Sequence, residues 1–89
     1  MNHLPKIRVN YNLQLEVDQK KCDCKKEPAH CHVTRNGKRV AQVWLDPVQI
    51  KSGHSLDHNE IDPVLDAVSK NKYDLMKEYE NNRLYGADY

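Results

Sequence analysis

The sequence predicts an α+β domain: a three- to four-stranded antiparallel sheet with one or two C-terminal helices packed on its apolar face. Three observations carry that expectation. Residues 6–17, KIRVNYNLQLEV, alternate apolar and polar without a fault. An Asn36-Gly37 pair separates two short runs rich in β-formers, HCHVTR and KRVAQVWLD. From Asp57 onward the apolar spacing lengthens to that of a helix. A period of two belongs to a half-buried strand, and a period near 3.6 to an amphipathic helix.

In the first segment Ile7, Val9, Tyr11, Leu13, Leu15 and Val17 fall on one side, with Lys6, Arg8, Asn10, Asn12, Gln14 and Glu16 on the other. The pattern fits one long strand or a strand pair with a tight bend. A polar loop ended by Pro28 follows, and then the Asn36-Gly37 hairpin. Two registers compete there. A two-residue loop groups Cys31 and Val33 with Val40 and Trp44. A three-residue loop with Gly37 in a left-handed bulge groups them with Ala41, Val43 and Leu45. The second is preferred, because it builds a continuous aliphatic row. In both, His30 and His32 share a face opposite Cys31.

Pro47 interrupts the second run, and VQIKSG is a candidate for a short edge strand before Gly53, the optional fourth of the sheet. Beyond it, Ile61, Val64, Leu65, Val68, Leu75, Met76 and Tyr79 lie on one helical face. Asp57 and Glu60 have capping-box spacing, while Asp62-Pro63 offers a competing start. Ser69 to Asn71 is a candidate break, giving either one helix or two with the second starting near Asn71, and Leu84-Tyr85-Gly86 closes the run.

At 89 residues the chain is expected to be a single domain over 1–89, with an ordered core over about 5–85. Hydrophobic residues make up 38%, charged residues 30%, and Phe is absent, which is polar for a globular chain. A domain of this size buries only about 60–65% of its unfolded surface, so a metal or cross-link would add usefully to its stability. No apolar run has signal-peptide or membrane-spanning length, and three cysteines are an odd count for a disulfide scaffold. The expectation is a reduced, cytoplasmic protein with no membrane contact. Net charge is +1, but residues 1–40 carry nine Lys/Arg against four Asp/Glu, and residues 41–89 five against nine. The positive excess lies mainly between Lys20 and Arg39, where it steers an anionic partner or simply solvates a loop.

The stretch CDCKKEPAHCHV, Cys22 to Val33, concentrates the chemistry-bearing residues. His30 and His32 stand two apart on a strand, about 6–7 Å apart at Cα, a spacing that suits a shared metal, a shared phosphate or an acid/base pair. Cys22 and Cys24 with His30 and His32 make a four-ligand set of the kind zinc takes, although the spacing is not that of a zinc finger. The bland alternative is two surface histidines beside a loop. Cys31 faces away and is expected to be a small buried thiol. As an acid/base pair, the histidines beside Arg35, Lys38 and Arg39 have the elements of metal-independent RNA cleavage. Trp44 is a stacking platform if it shares the histidine face, and core otherwise. Lys20, Lys21, Lys25 and Lys26 supply non-specific phosphate contacts. His54 and His58 are expected at the surface.

Taken in order, EPAHCHV, the Asn-Gly-Lys turn and WLDPV resemble a bacterial family, the domain-of-unknown-function 4160 family, over roughly residues 5–85. The match is sharpest at Pro28, His30, His32, Val33, Gly37, Trp44, Leu45, Asp46 and Pro47. The resemblance implies a working role for the histidine pair and a place in a two-gene, toxin–antitoxin-type module. It carries no activity, and Cys22-x-Cys24 is not part of its pattern. The resulting expectation is a small binding domain whose partner is a second small protein or nucleic acid. A small ribonuclease and a zinc-stabilised module are the alternatives. Oligomeric state is left open.

Overall fold

The computed structural model describes residues 7–17 and 28–85, with side chains to residue 82. Five strands form one antiparallel meander: β1 (Ile7–Arg8), β2 (Leu13–Glu16), β3 (His30–Arg35), β4 (Lys38–Leu45) and β5 (Val48–Ile50), in spatial order β1-β2-β3-β4-β5. The sheet therefore has five strands rather than the expected three to four. The extra strand comes from the first segment, which is a strand pair with a tight bend. Its alternation continues through the bend, so periodicity alone leaves the turn hidden. Asn10 makes the bend: its Oδ1 accepts from the N–H groups of Asn12 and Leu13 at 2.9 and 3.1 Å. Such a side chain standing in for backbone is how Asn nucleates turns.

At the β3–β4 hairpin, Arg35 pairs with Lys38 across a two-residue Asn36-Gly37 loop. Both loop residues have positive φ, 51° and 85°, the signature of the mirror-image turn that matches strand twist. The loop is thus shorter than the preferred three-residue one, yet the preferred core row is present. The reconciling feature is a bulge. Thr34 pairs with Arg39 but Val33 pairs with Ala41, so Val40 is the extra residue. Its carbonyl accepts from the Ser55 N–H at 2.8 Å. Beyond the bulge Cys31 stands opposite Val43 and His30 opposite Trp44.

After the Asp46-Pro47 turn, whose peptide bond is cis, β5 pairs with β4 through Leu45↔Val48 and Val43↔Ile50. A 3-10 turn at His58–Glu60 leads into α1 (Ile61–Lys70) and α2 (Lys72–Tyr85), separated at Asn71. The Asp57/Glu60 capping box forms, with the Glu60 carboxylate accepting from the Asp57 N–H at 2.8 Å. The Asp62-Pro63 start is absorbed into the first turn of α1, where the missing proline N–H costs nothing. Leu13, Leu15, Cys31, Val33, Val43 and Leu45 from the sheet join Val64, Val68 and Leu75 from the helices in one core.

The same Glu60 carboxylate forms an ion pair with Arg35, whose Nη2 also donates to the Ser55 carbonyl at 3.4 Å. The two bonds fasten the hairpin end of β3 to the helix entrance. The backbone N–H of Asp57 and the Arg35 guanidinium hold the Glu60 pKa below the usual carboxylate value. A lowered folded pKa contributes stability that is complete above the unfolded value and lost as pH falls through the folded one. Glu60→Gln should therefore cost about 1–2 kcal/mol at pH 7. Its deficit against the parent in urea melts should shrink as pH drops below about 4.3; a deficit constant down to pH 2.5 would contradict the assignment. Gly37→Ala meets no atom within 4 Å at its new Cβ, so only backbone strain acts. A loss of about 1–2 kcal/mol is expected from the left-handed conformation, checked in the same melts.

Candidate functional site

The polar face of the sheet is organised in cross-strand rows. His30 stands beside Trp44, which stands beside Gln49; His32 stands between Glu16 and Gln42; Thr34 stands between Gln14 and Arg39. The histidines lie on β3 with Cys31 pointing the opposite way, as strand alternation requires.

His30 is the hub of an aromatic cluster. Its ring centroid lies 5.3 Å from His32, 5.9 Å from Trp44 and 5.5 Å from Tyr79 of α2. The His32 and Trp44 rings meet it nearly perpendicular, at 83° and 89°, an arrangement that sets positive ring edge against negative ring face. Nδ1 of His30 lies 2.9 Å from the Pro28 carbonyl oxygen. A carbonyl only accepts, so Nδ1 carries a proton, and in the neutral ring Nε2 is the acceptor nitrogen. Lys51 Nζ sits 5.8 Å from the Trp44 centroid, within cation–π range. His30 is half-buried, whereas His32 is only 8% exposed.

The basic residues are distributed unevenly around this cluster. Arg35 stands cross-strand from Leu13 on the core-side face, bound to Glu60. Lys38, its hairpin partner, shares that side. Of the three cations expected beside the histidines, only Arg39 stands on their face, one row beyond His32. Trp44 is on the histidine face, where it supplies one wall of the cluster. Cys22, Cys24, Lys20, Lys21, Lys25 and Lys26 lie outside the described residues. Among the described residues no three His, Cys, Asp or Glu side chains converge as a metal group, and no helix is long and apolar enough to cross a membrane.

Three members of the site escaped sequence reasoning. Tyr79 had the spacing of a core residue, and its contact with His30 depends on where α2 docks. Lys51, one residue past β5, joins by reaching over the Trp44 ring, and Glu16 joins by strand pairing with His32. Periodicity within one segment carries no information about any of these contacts.

Cys31 is buried and free, and burial pushes its thiol pKa up to about 12. At pH 8 about one molecule in ten thousand would carry the nucleophilic thiolate. In a Cys22→Ser/Cys24→Ser background the folded protein should therefore leave a disulfide probe unreacted, with reaction appearing only through the urea unfolding transition. Rapid labelling of the native state would place the thiol elsewhere.

A family model described as a domain of unknown function, DUF4160, matches residues 21–80. That stretch contains the histidine strand, the hairpin, Trp44 and most of both helices. No curated protein and no solved structure matches the chain.

Proposed function

The chain belongs to the DUF4160 family, and from that premise we propose that it works by binding and not by catalysis, as one component of a toxin–antitoxin-type module. Its contact surface is the His30–Trp44 end of the sheet, with Lys51 as the adjoining cation. The observation that carries this reading is the burial of His32. An acid/base pair needs both imidazoles at the scissile group, but the second histidine is 8% exposed and set edge-on to the first. Arg35, the cation that cleavage would recruit from the same strand, is tied to Glu60 on the other face. Half-exposed aromatic rings with a lysine alongside suit stacking against an unpaired base. The positive excess in residues 1–40 favours an anionic ligand, and among anions the stacking surface favours single-stranded nucleic acid. A zinc ion held by Cys22, Cys24, His30 and His32 would make the cluster a structural clip instead.

Trp44 is the sole tryptophan, so its fluorescence reports on this surface directly. Titration with a single-stranded RNA oligonucleotide should quench it, weaken with added salt and leave the RNA intact. Trp44→Ala should lower the affinity about tenfold or more, the usual worth of one stacked base. RNA cleavage lost in both His30→Ala and His32→Ala variants would replace this reading with the ribonuclease. Zinc in the native mass spectrum, absent from the Cys22→Ser/Cys24→Ser variant, would replace it with the clip.

A further inference from the structure

A cleft of about 230 Å³ opens at the end of the polar face away from His30, between the two tight turns. Its floor is one cross-strand row: Arg8, Gln14 and Thr34 stand side by side on β1, β2 and β3 and all line it. Its walls are the β1–β2 bend at Tyr11-Asn12 and the Asn36-Gly37 turn. The Asn36 N–H donates to the Asn12 carbonyl at 3.4 Å and ties the two walls together. Thr34 lies four residues from His30, about 13 Å along the strand. The cleft is therefore separate from the aromatic cluster, and its role does not depend on the reading above.

The lining is a set of hydrogen-bonding groups with one cation and no carboxylate. Arg8 is held across the bend, its Nη1 donating to the Asn10 and Tyr11 carbonyls at 3.4 and 3.1 Å. A guanidinium has five N–H donors on three nitrogens, so Nε and Nη2 retain three beyond those bonds. Thr34 is 3% exposed as a residue and lines the floor of the cleft, so its hydroxyl is a short, well-positioned hydrogen-bonding group at the bottom of the site. Asn12 and Asn36 bring amide donors from the two turns. Donors thus converge from three sides, and a phosphate monoester presents three terminal oxygens where a carboxylate presents two. The volume accommodates about seven waters, enough for a phosphate and part of the group that carries it.

We propose that this cleft binds a small phosphorylated ligand, with Arg8 as the charge anchor and the Thr34 hydroxyl as the donor on its floor. The test is a titration of the full chain with inorganic phosphate, adenosine monophosphate and acetate at constant ionic strength, followed through backbone amide resonances. Phosphate and the nucleotide should saturate shifts at Asn12, Asn36 and Gly37 while Trp44 stays unmoved. Thr34→Val, which keeps the side-chain shape, should weaken phosphate about tenfold, the usual effect of losing one bond to a charged ligand. Asn12→Asp changes an exposed side chain and should abolish binding by repulsion. Unsaturable shifts scattered over the lysines, acetate binding as tight as phosphate, or unchanged affinity in Asn12→Asp would each overturn the proposal.

Discussion

The extra residue at Val40 sets the register on which the rest of the molecule depends. A two-residue Asn-Gly loop continued without a bulge would place Val33 opposite Val40 and Cys31 opposite Gln42. Gln42 and Trp44 would then face the helices. The bulge shifts the pairing by one residue, so Ala41, Val43 and Leu45 line up with Cys31 and Val33. Strand side chains alternate, and one residue of slip exchanges the two faces completely. The same shift delivers Trp44 to the side of His30. One irregularity therefore builds the aliphatic row of the core and the aromatic cluster together. Its energetic cost is contained because the displaced Val40 carbonyl finds a donor in Ser55.

The helical layer depends on a second junction, at Glu60. One carboxylate closes the helix entrance through Asp57 and binds Arg35 from the hairpin end of β3. Other ion pairs, such as Lys72–Asp46 and Lys70–Asp66, are more exposed and contribute little in water. The Glu60 pair is mostly shielded and also backed by a backbone hydrogen bond, so it acts where a surface pair would not. It also explains why Arg35 takes no part in the polar face. The core-side position of that residue requires a buried or half-buried partner for its charge, and Glu60 is that partner.

The polar face is correspondingly differentiated. At one end, the rings of His32, Trp44 and Tyr79 pack around His30, and His32 itself is buried. At the other, two turns enclose a cleft whose floor is polar from strand to strand. An aromatic surface and a cleft lined by hydrogen-bonding groups suit different ligands, the first flat and π-rich, the second oxygen-rich and charged. Their separation along β3 allows one small sheet to hold both surfaces without mutual interference.

Much of this was legible in the sequence because it follows from local rules. The alternation from Lys6 to Val17, the Asn36-Gly37 turn, the Asp57/Glu60 box and the break near Asn71 each depend on residues within a few positions of one another. The shared face of His30 and His32, and the burial of Cys31 on the opposite one, follow from strand periodicity as well. What the tertiary structure alone decided is which of these local pieces meet. The bend at Asn10 was masked by an unbroken alternation, and the bulge at Val40 leaves no compositional mark. Tyr79 reaches His30 across 49 residues of chain, and Glu60 reaches Arg35 across 25. The aliphatic row of the hairpin was legible from its apolar pattern. The place of the bulge that achieves it and the docking of the helices are settled by the burial of the whole apolar set at once, a collective free energy that no short window of sequence contains.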